Sequence, residues 1–350
     1  MPVPTRPLRL AINGYGRIGR CFLRALLESP LGQRFQVVAI NEPADLPSIT
    51  YLTRFDSTHG RFPGTVAQTA SGLLINGQAV AVTHADTPEA VDWRALDIDL
   101  LVECSGRYSS RQELNRFIAA GCPRLLLSHP ANGADDVDAT VVYGVNEGLL
   151  RGDETIVSNA SCTTNAVVPV LKLLHDHLDI EQVLLTTLHS VMNDQPLIDG
   201  YHHADLRRTR SAMQSIIPVS TGLARGVERL LPALKGRIQA KAIRVPTLNV
   251  SAIDLVLQVS RDVDADRINA LLCDAANGPL KNLMACSHEP HASVDFNHDP
   301  HSAIVDAGQT RVLGKPGEPR LVNLMVWFDN EWGFANRLVD VASHWLAAGR

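Results

Sequence analysis

A doubly wound α/β domain followed by an α+β domain with a mostly antiparallel sheet is the fold class that the 350-residue sequence predicts. Three observations carry it. The first third alternates short, wholly apolar runs with helix-like segments, the pattern of a parallel sheet covered on both faces. After about residue 160 that rhythm gives way to longer strands. A glycine-rich turn, Gly14-Tyr15-Gly16-Arg17-Ile18-Gly19, joins the first strand to the first helix.

In order, residues 8–13 read as a strand, 17–28 as a helix and 35–40 as the next strand. A strand at 98–104, a helix at 109–120 and strands at 124–128 and 139–144 continue the alternation. A helix at 163–178 then leads into a strand at 182–189. Residues 192–222 have little periodicity and contain Pro196, Gly200 and the basic cluster Arg207, Arg208 and Arg210. Structureless stretches of that length in a compact chain are usually functional loops. Strands at 238–245 and 250–260 follow, then a helix at 265–276 stopped by Gly278-Pro279. A strand at 321–327 and an amphipathic helix at 332–348 close the chain.

Composition narrows the function. Hydrophobic residues make up 45% and charged residues 20%, as expected of a globular protein and not of a disordered or collagen-like one. A net charge of −5 argues against nucleic acid as a partner, which calls for a basic face. No apolar run is long enough to span a membrane, and the N-terminus lacks the apolar core of a signal peptide. Six cysteines, Cys21, Cys104, Cys122, Cys162, Cys273 and Cys286, lack CxxC spacing. A disulfide framework or zinc module is therefore not expected, and a reducing cytoplasm is. No metal site is expected either. The group His288, His291, His298 and His301 reads as a polar surface loop.

Gly14, Gly16 and Gly19 form G-x-G-x-x-G between a strand and a helix. Such a turn brings backbone close to a pyrophosphate and offers it the N–H groups of a helix start. Glu42 ends the next strand, where a carboxylate accepts from an adenosine ribose and repels a 2′-phosphate. The expected cofactor is NAD in preference to NADP, on a Rossmann-type domain.

Cys162 stands where the helix at 163–178 begins. Helix starts favour thiolate, the nucleophilic form of cysteine. His189, at a strand end, is placed to exchange protons with it. From spacing alone, the two also fit a buried small thiol and a hydrogen-bonded structural histidine. The other five cysteines read as small buried hydrophobes.

The segments AINGYGRIGR, SNASCTTN, His189–Asp194, DLRRTR, SIIPVSTG, RVPTLNVSAIDL and WFDNEWGFANR resemble the glyceraldehyde-3-phosphate dehydrogenase family, in order and across nearly the whole chain. The resemblance implies an NAD-binding domain at 1–161 completed by a C-terminal helix at 330–350, and a catalytic domain at 162–329. It implies Cys162 as nucleophile and His189 as its base. Gly14, Gly16, Arg17, Ile18 and Gly19 match the pyrophosphate turn, Glu42 the ribose position, and Ser128 and Asn330 contacts on the nicotinamide side. Ser161, Thr163, Arg208, Thr221 and Gly222 match one anion site, and Asp194 and Arg244 elements of the other. Ser, Thr and helix-start N–H groups together with planar guanidinium groups make a phosphate cradle. A small sugar phosphate as substrate and a homotetramer complete the family expectation.

Within the family, INEPAD with Glu42, LLLSHPAN, DATVVYGVN and VDFNHDPHSAIVD are more similar to the branch that oxidises erythrose 4-phosphate for pyridoxal phosphate synthesis. Met192 stands where the glycolytic branch carries a threonine that contacts substrate phosphate, and Asp86 near an expected arginine beside the adenine. An apparent one-residue insertion falls at 201–204. Release of the acyl enzyme by water or by inorganic phosphate uses the same residues, so the sequence leaves both open. A phosphorylating triose phosphate enzyme and an NAD-binding regulatory protein are the alternatives.

Overall fold

The computed structural model describes residues 6–315 and 317–349. They form two compact units: residues up to Ser161 together with those from Ala335 onward, and Cys162–Phe334.

In the first unit a nine-stranded sheet has Leu8–Asn13 near its middle, flanked by Phe35–Asn41 on one side and Leu100–Glu103 on the other. These strands are apolar along almost their whole length because both faces are covered. Leu125–Leu127, Ile156–Ser158 and Ala139–Thr140 extend the sheet in parallel beyond Leu100–Glu103. Helix Arg17–Glu28 buries Gly19, Phe22, Leu23 and Leu26, the i, i+3, i+4, i+7 stripe of an amphipathic helix. Strand order reverses on either side of Leu8–Asn13, which opens a crevice at the carboxyl ends of the strands.

Several boundaries differ from the sequence reading for local reasons. The helix read at 109–120 spans Arg111–Ala119, because Ser110 and Glu113 form a capping box at its start. The strand read at 139–144 is only Ala139–Thr140: the Val142 N–H donates to Asn146 Oδ1 at 2.8 Å rather than to a strand. Helix Leu46–Arg54 and the antiparallel ribbon Val66–Gln68, Gly72–Ile75 and Gln78–Thr83 were not read at all. Asn76-Gly77, both at positive φ, makes the turn that Asn-Gly favours between strands.

The second unit carries an eight-stranded, mostly antiparallel sheet. Strand Ile180–His189 lies parallel to Ile238–Arg244 and antiparallel to Ser251–Val259; Ser251–Val259 in turn pairs with Arg320–Phe328. The parallel register sets His189 opposite Arg244. Helix Cys162–Leu178 packs on this sheet. Residues 192–222 contain only a short 3-10 turn, Leu206–Thr209, and the strand Ile217–Val219. The final helix, Trp332–Ala348, starts where Asp329 accepts from the N–H groups of Glu331 and Trp332.

One expectation is overturned. Cys273 and Cys286 are neither separate nor deeply buried; they form a disulfide. Helix Ala265–Asn277 packs beside the edge strand Met284–Ser287, which brings two half-exposed thiols face to face without any CxxC spacing. No helix among the described residues is long and apolar enough to cross a membrane.

Candidate active site

A cleft of about 280 Å³ lies at the carboxyl ends of the parallel strands, lined by Gly14, Gly16, Asn41, Glu42, Asp86 and Tyr108 among others. The three glycines of the turn have different reasons. Gly14 is at φ +81°, and a Cβ there would lie 2.5 Å from the Ser105 backbone. At Gly19 a Cβ would lie 2.3 Å from the Gly14 carbonyl oxygen. Both are forced by the protein's own backbone. Around Gly16 nothing lies within 4 Å of such a Cβ, so packing does not account for that glycine, whereas the close approach of a ligand does. Gly16 also leads into helix Arg17–Glu28 without a side-chain cap, which turns the first-turn N–H groups of Ile18 and Gly19 toward an anion. The residues fit a dinucleotide.

Glu42 Oε2 accepts from the Tyr15 N–H at 2.7 Å and Oε1 from the Ala44 N–H at 3.2 Å. Its carboxylate is thereby fixed against the glycine turn with lone pairs left for a ribose. Asp86 does line the cleft. Ser128 adjoins the cleft-lining Cys104, whose thiol it hydrogen-bonds.

Sequence reading missed the acid beneath this cleft. Glu103 is fully buried and accepts from the Ser105 N–H at 2.6 Å, the Ser105 hydroxyl and the Asn13 amide. Burial pushes its carboxyl up to about 7 against those hydrogen bonds. The signal was a charged residue at the end of an otherwise apolar strand.

In the second unit, Cys162 is the first residue of its helix, and Sγ lies 3.7 Å from His189 Nε2. His189 Nδ1 lies 2.8 Å from the Ser190 carbonyl oxygen, so Nδ1 carries the proton donated there and Nε2 faces the thiol. Burial alone would raise the thiol, but the His189 imidazole and the Thr163 hydroxyl and N–H outweigh it and hold Cys162 below the ordinary thiol value. For His189, burial lowers and Cys162 raises; the net direction is upward. The two shifts both favour passage of the thiol proton to the imidazole.

Asp194 sits between two guanidinium groups. Arg244 Nη1 and Nη2 donate to its two oxygens at 2.6 and 3.1 Å, and Arg208 Nη1 donates at 3.1 Å. Against desolvation, these arginines hold the Asp194 carboxyl below its ordinary value. Arg244 also reaches Met192 Sδ at 3.5 Å. Arg208, assigned on resemblance to the other anion group, thus shares a carboxylate with Arg244. Thr221 accepts from the Leu223 N–H at 3.1 Å, and Gly222 precedes helix Leu223–Leu230. That helix packs beside the one that starts at Cys162. Ser161 immediately precedes Cys162, and Ala160 before it takes a positive φ of 54°.

Asn330 is buried, and its Oδ1 accepts from Ser190 and Ser251 hydroxyls at 3.0 and 2.7 Å. Those two bonds orient the amide and turn Nδ2 away as a donor. The four histidines at 288–301 do not converge. His288 lies beside Cys273, His291 on Ser287, His301 on Asp299, and His298 stacks on Trp332.

A glycine-turn cleft on one unit and an activated cysteine on the other define a class, the nicotinamide-dependent dehydrogenases that work through an enzyme thiol. Residues 8–111 match the glyceraldehyde 3-phosphate dehydrogenase NAD binding domain, and residues 161–330 match the C-terminal domain of the same family. The chain belongs to the glyceraldehyde 3-phosphate dehydrogenase family and is an NAD-dependent dehydrogenase.

Proposed function

We propose that this dehydrogenase oxidises erythrose 4-phosphate to 4-phosphoerythronate, with water releasing the acyl group. The observation that carries the reading is the Asp194–Arg244 pair. The guanidinium that resemblance assigns to the second anion site is already engaged at both Nη atoms by the chain's own carboxylate. Beside it stands a thioether, Met192, in place of a hydroxyl. A site altered in this way suits the phosphate of a triose poorly and fits a substrate one carbon longer, whose phosphate lies farther from the aldehyde; the same resemblance favours water as the acyl acceptor.

His189 Nε2 takes the Cys162 proton, and the thiolate attacks the aldehyde carbon to give a thiohemiacetal. The N–H groups at the start of helix Cys162–Leu178 hold the developing oxyanion. Bound NAD would supply the hydride acceptor, held by the Gly14–Gly19 turn and Glu42; resemblance assigns Ser128 and Asn330 to its nicotinamide side. His189 returns its proton to that oxyanion, takes it back as hydride leaves the carbon and the thiohemiacetal becomes a thioester, and loses it to solvent. It then deprotonates the water that attacks the thioester and passes this proton to the departing Cys162 sulfur, which releases the acid and restores the thiol. Arg244 binds the phosphate of the substrate, and Arg208 with Ser161, Thr163, Thr221 and Gly222 makes up the other anion site.

The product fits a supply step for pyridoxal phosphate synthesis in the cytoplasm, and the enzyme works as a homotetramer. Supporting assembly, Leu197, Ile198, Tyr201, Leu206 and Ile216 are exposed along one loop, Leu206 at 84%, and a partner subunit would cover them.

The test is NADH formation with erythrose 4-phosphate and glyceraldehyde 3-phosphate in parallel, each with and without inorganic phosphate. A much higher kcat/KM for the tetrose, indifferent to phosphate, supports the reading. Preference for the triose, with activity lost when phosphate is omitted, makes this a phosphorylating enzyme.

A further inference from the structure

We propose that Cys273 and Cys286 form a reversible thiol–disulfide exchange site, separate from Cys162, that reacts with small disulfides of the glutathione type. The two residues come from different elements, helix Ala265–Asn277 and edge strand Met284–Ser287, with Cα atoms 5.3 Å apart. Neither is in the core; both are half-exposed. His288 is exposed two residues beyond Cys286, and side chains two apart on an extended chain share a face. Its Nε2 lies 3.6 Å from Cys273 Sγ.

That contact separates the two sulfurs by role. In the reduced chain, His288 takes the Cys273 proton, and the thiolate attacks one sulfur of the small disulfide. A Cys273–small-thiol bond forms as the original sulfur–sulfur bond breaks, and the departing thiolate takes the proton from His288. Cys286, deprotonated by solvent, then attacks Cys273 Sγ. The internal disulfide forms, and a second small thiol leaves with the proton that solvent returns. Two protein thiols are oxidised, and one small disulfide is reduced to two thiols. His288 positions and deprotonates Cys273 without contacting Cys286 chemistry. An adjacent histidine of this kind raises thiolate content, and with it attack, by about ten-fold near neutral pH.

The experiment uses the full-length chain with Cys162→Ser, so that the active-site thiol does not contribute. The protein is reduced, freed of reductant and treated with glutathione disulfide, and the modified cysteines are followed by mass spectrometry of intact protein and peptides. The expected course is a transient adduct on Cys273, then the Cys273–Cys286 disulfide, which excess glutathione reopens. Cys286→Ser should stop at a stable Cys273 adduct. His288→Ala should reach the same end point about ten-fold more slowly, a rate effect without an equilibrium effect. Thermal melting of each variant checks its fold. First attack at Cys286, an unchanged rate in His288→Ala, or a bond that glutathione neither forms nor opens in the folded chain would overturn the proposal. The last outcome would mean a purely structural disulfide.

Discussion

Cys162 and Cys122 are the same residue at opposite ends of helices. Cys162 opens helix Cys162–Leu178 with an imidazole 3.7 Å away, and its thiol is held below the ordinary value. Cys122 lies just past helix Arg111–Ala119, where its N–H donates to Phe117 and its Sγ lies 3.1 Å from the Arg124 carbonyl oxygen. Burial pushes that thiol up to about 12. A helix start offers donors and a positive dipole end, while a helix finish offers carbonyls. Both thiols are pushed up by burial, and the neighbouring base and Thr163 reverse that at Cys162 alone, which residue type does not reveal.

Removing each sulfur should separate the two most widely. Cys162→Ala is expected to lower kcat for the dehydrogenase reaction by roughly 10⁴-fold or more. Cys122→Ala should leave kcat within about two-fold and cost about 1 kcal/mol of stability, read from denaturant midpoints. Equal losses in both variants would break the contrast. His189→Asn keeps the sulfur and removes its base, and kcat should fall by about 10²- to 10⁴-fold in steady-state assays.

Arg244→Met addresses the substrate end. Loss of a charge-assisted partner predicts a KM for the sugar phosphate raised roughly ten- to hundred-fold, with Cys162 alkylation unaltered. A change in alkylation instead would place Arg244 with the nucleophile. Glu103 gives the smallest effect on turnover and is read through stability. Between its ordinary value of 4.5 and about 7, the folded chain keeps a proton that the unfolded chain has released. Stability therefore falls as pH rises through that window, by up to about 3 kcal/mol. Denaturant midpoints across that range should show the decline in the parent chain and lose it in Glu103→Gln.

The parts of the fold that were legible are those set by local pattern. The strand at 8–13 and the helix at 17–28 stand at those residues because an apolar run, a glycine turn and an amphipathic stripe are local features. Cys162 at a helix start was equally local. What escaped depends on residues far apart in sequence. Glu103 was hidden because Asn13, on the neighbouring strand, meets it only across the sheet. Cys273 and Cys286 met through helix-on-strand packing that no cysteine spacing announces. Sharing of Asp194 by Arg208 and Arg244 needed a loop of little periodicity to fold back on a strand end. The Asn76-Gly77 turn, by contrast, is a local signal.

The most direct measurement is the pH dependence of Cys162 alkylation by iodoacetamide in the parent chain and in His189→Asn, with the modified residue identified by peptide mass spectrometry. The shifts at Cys162 and His189 predict rapid, selective reaction of Cys162 that persists below the ordinary thiol value. In His189→Asn, the reaction should require markedly higher pH, since burial then acts on the thiol without its counter-charge. Superimposable profiles for the two proteins would contradict activation of Cys162 by His189.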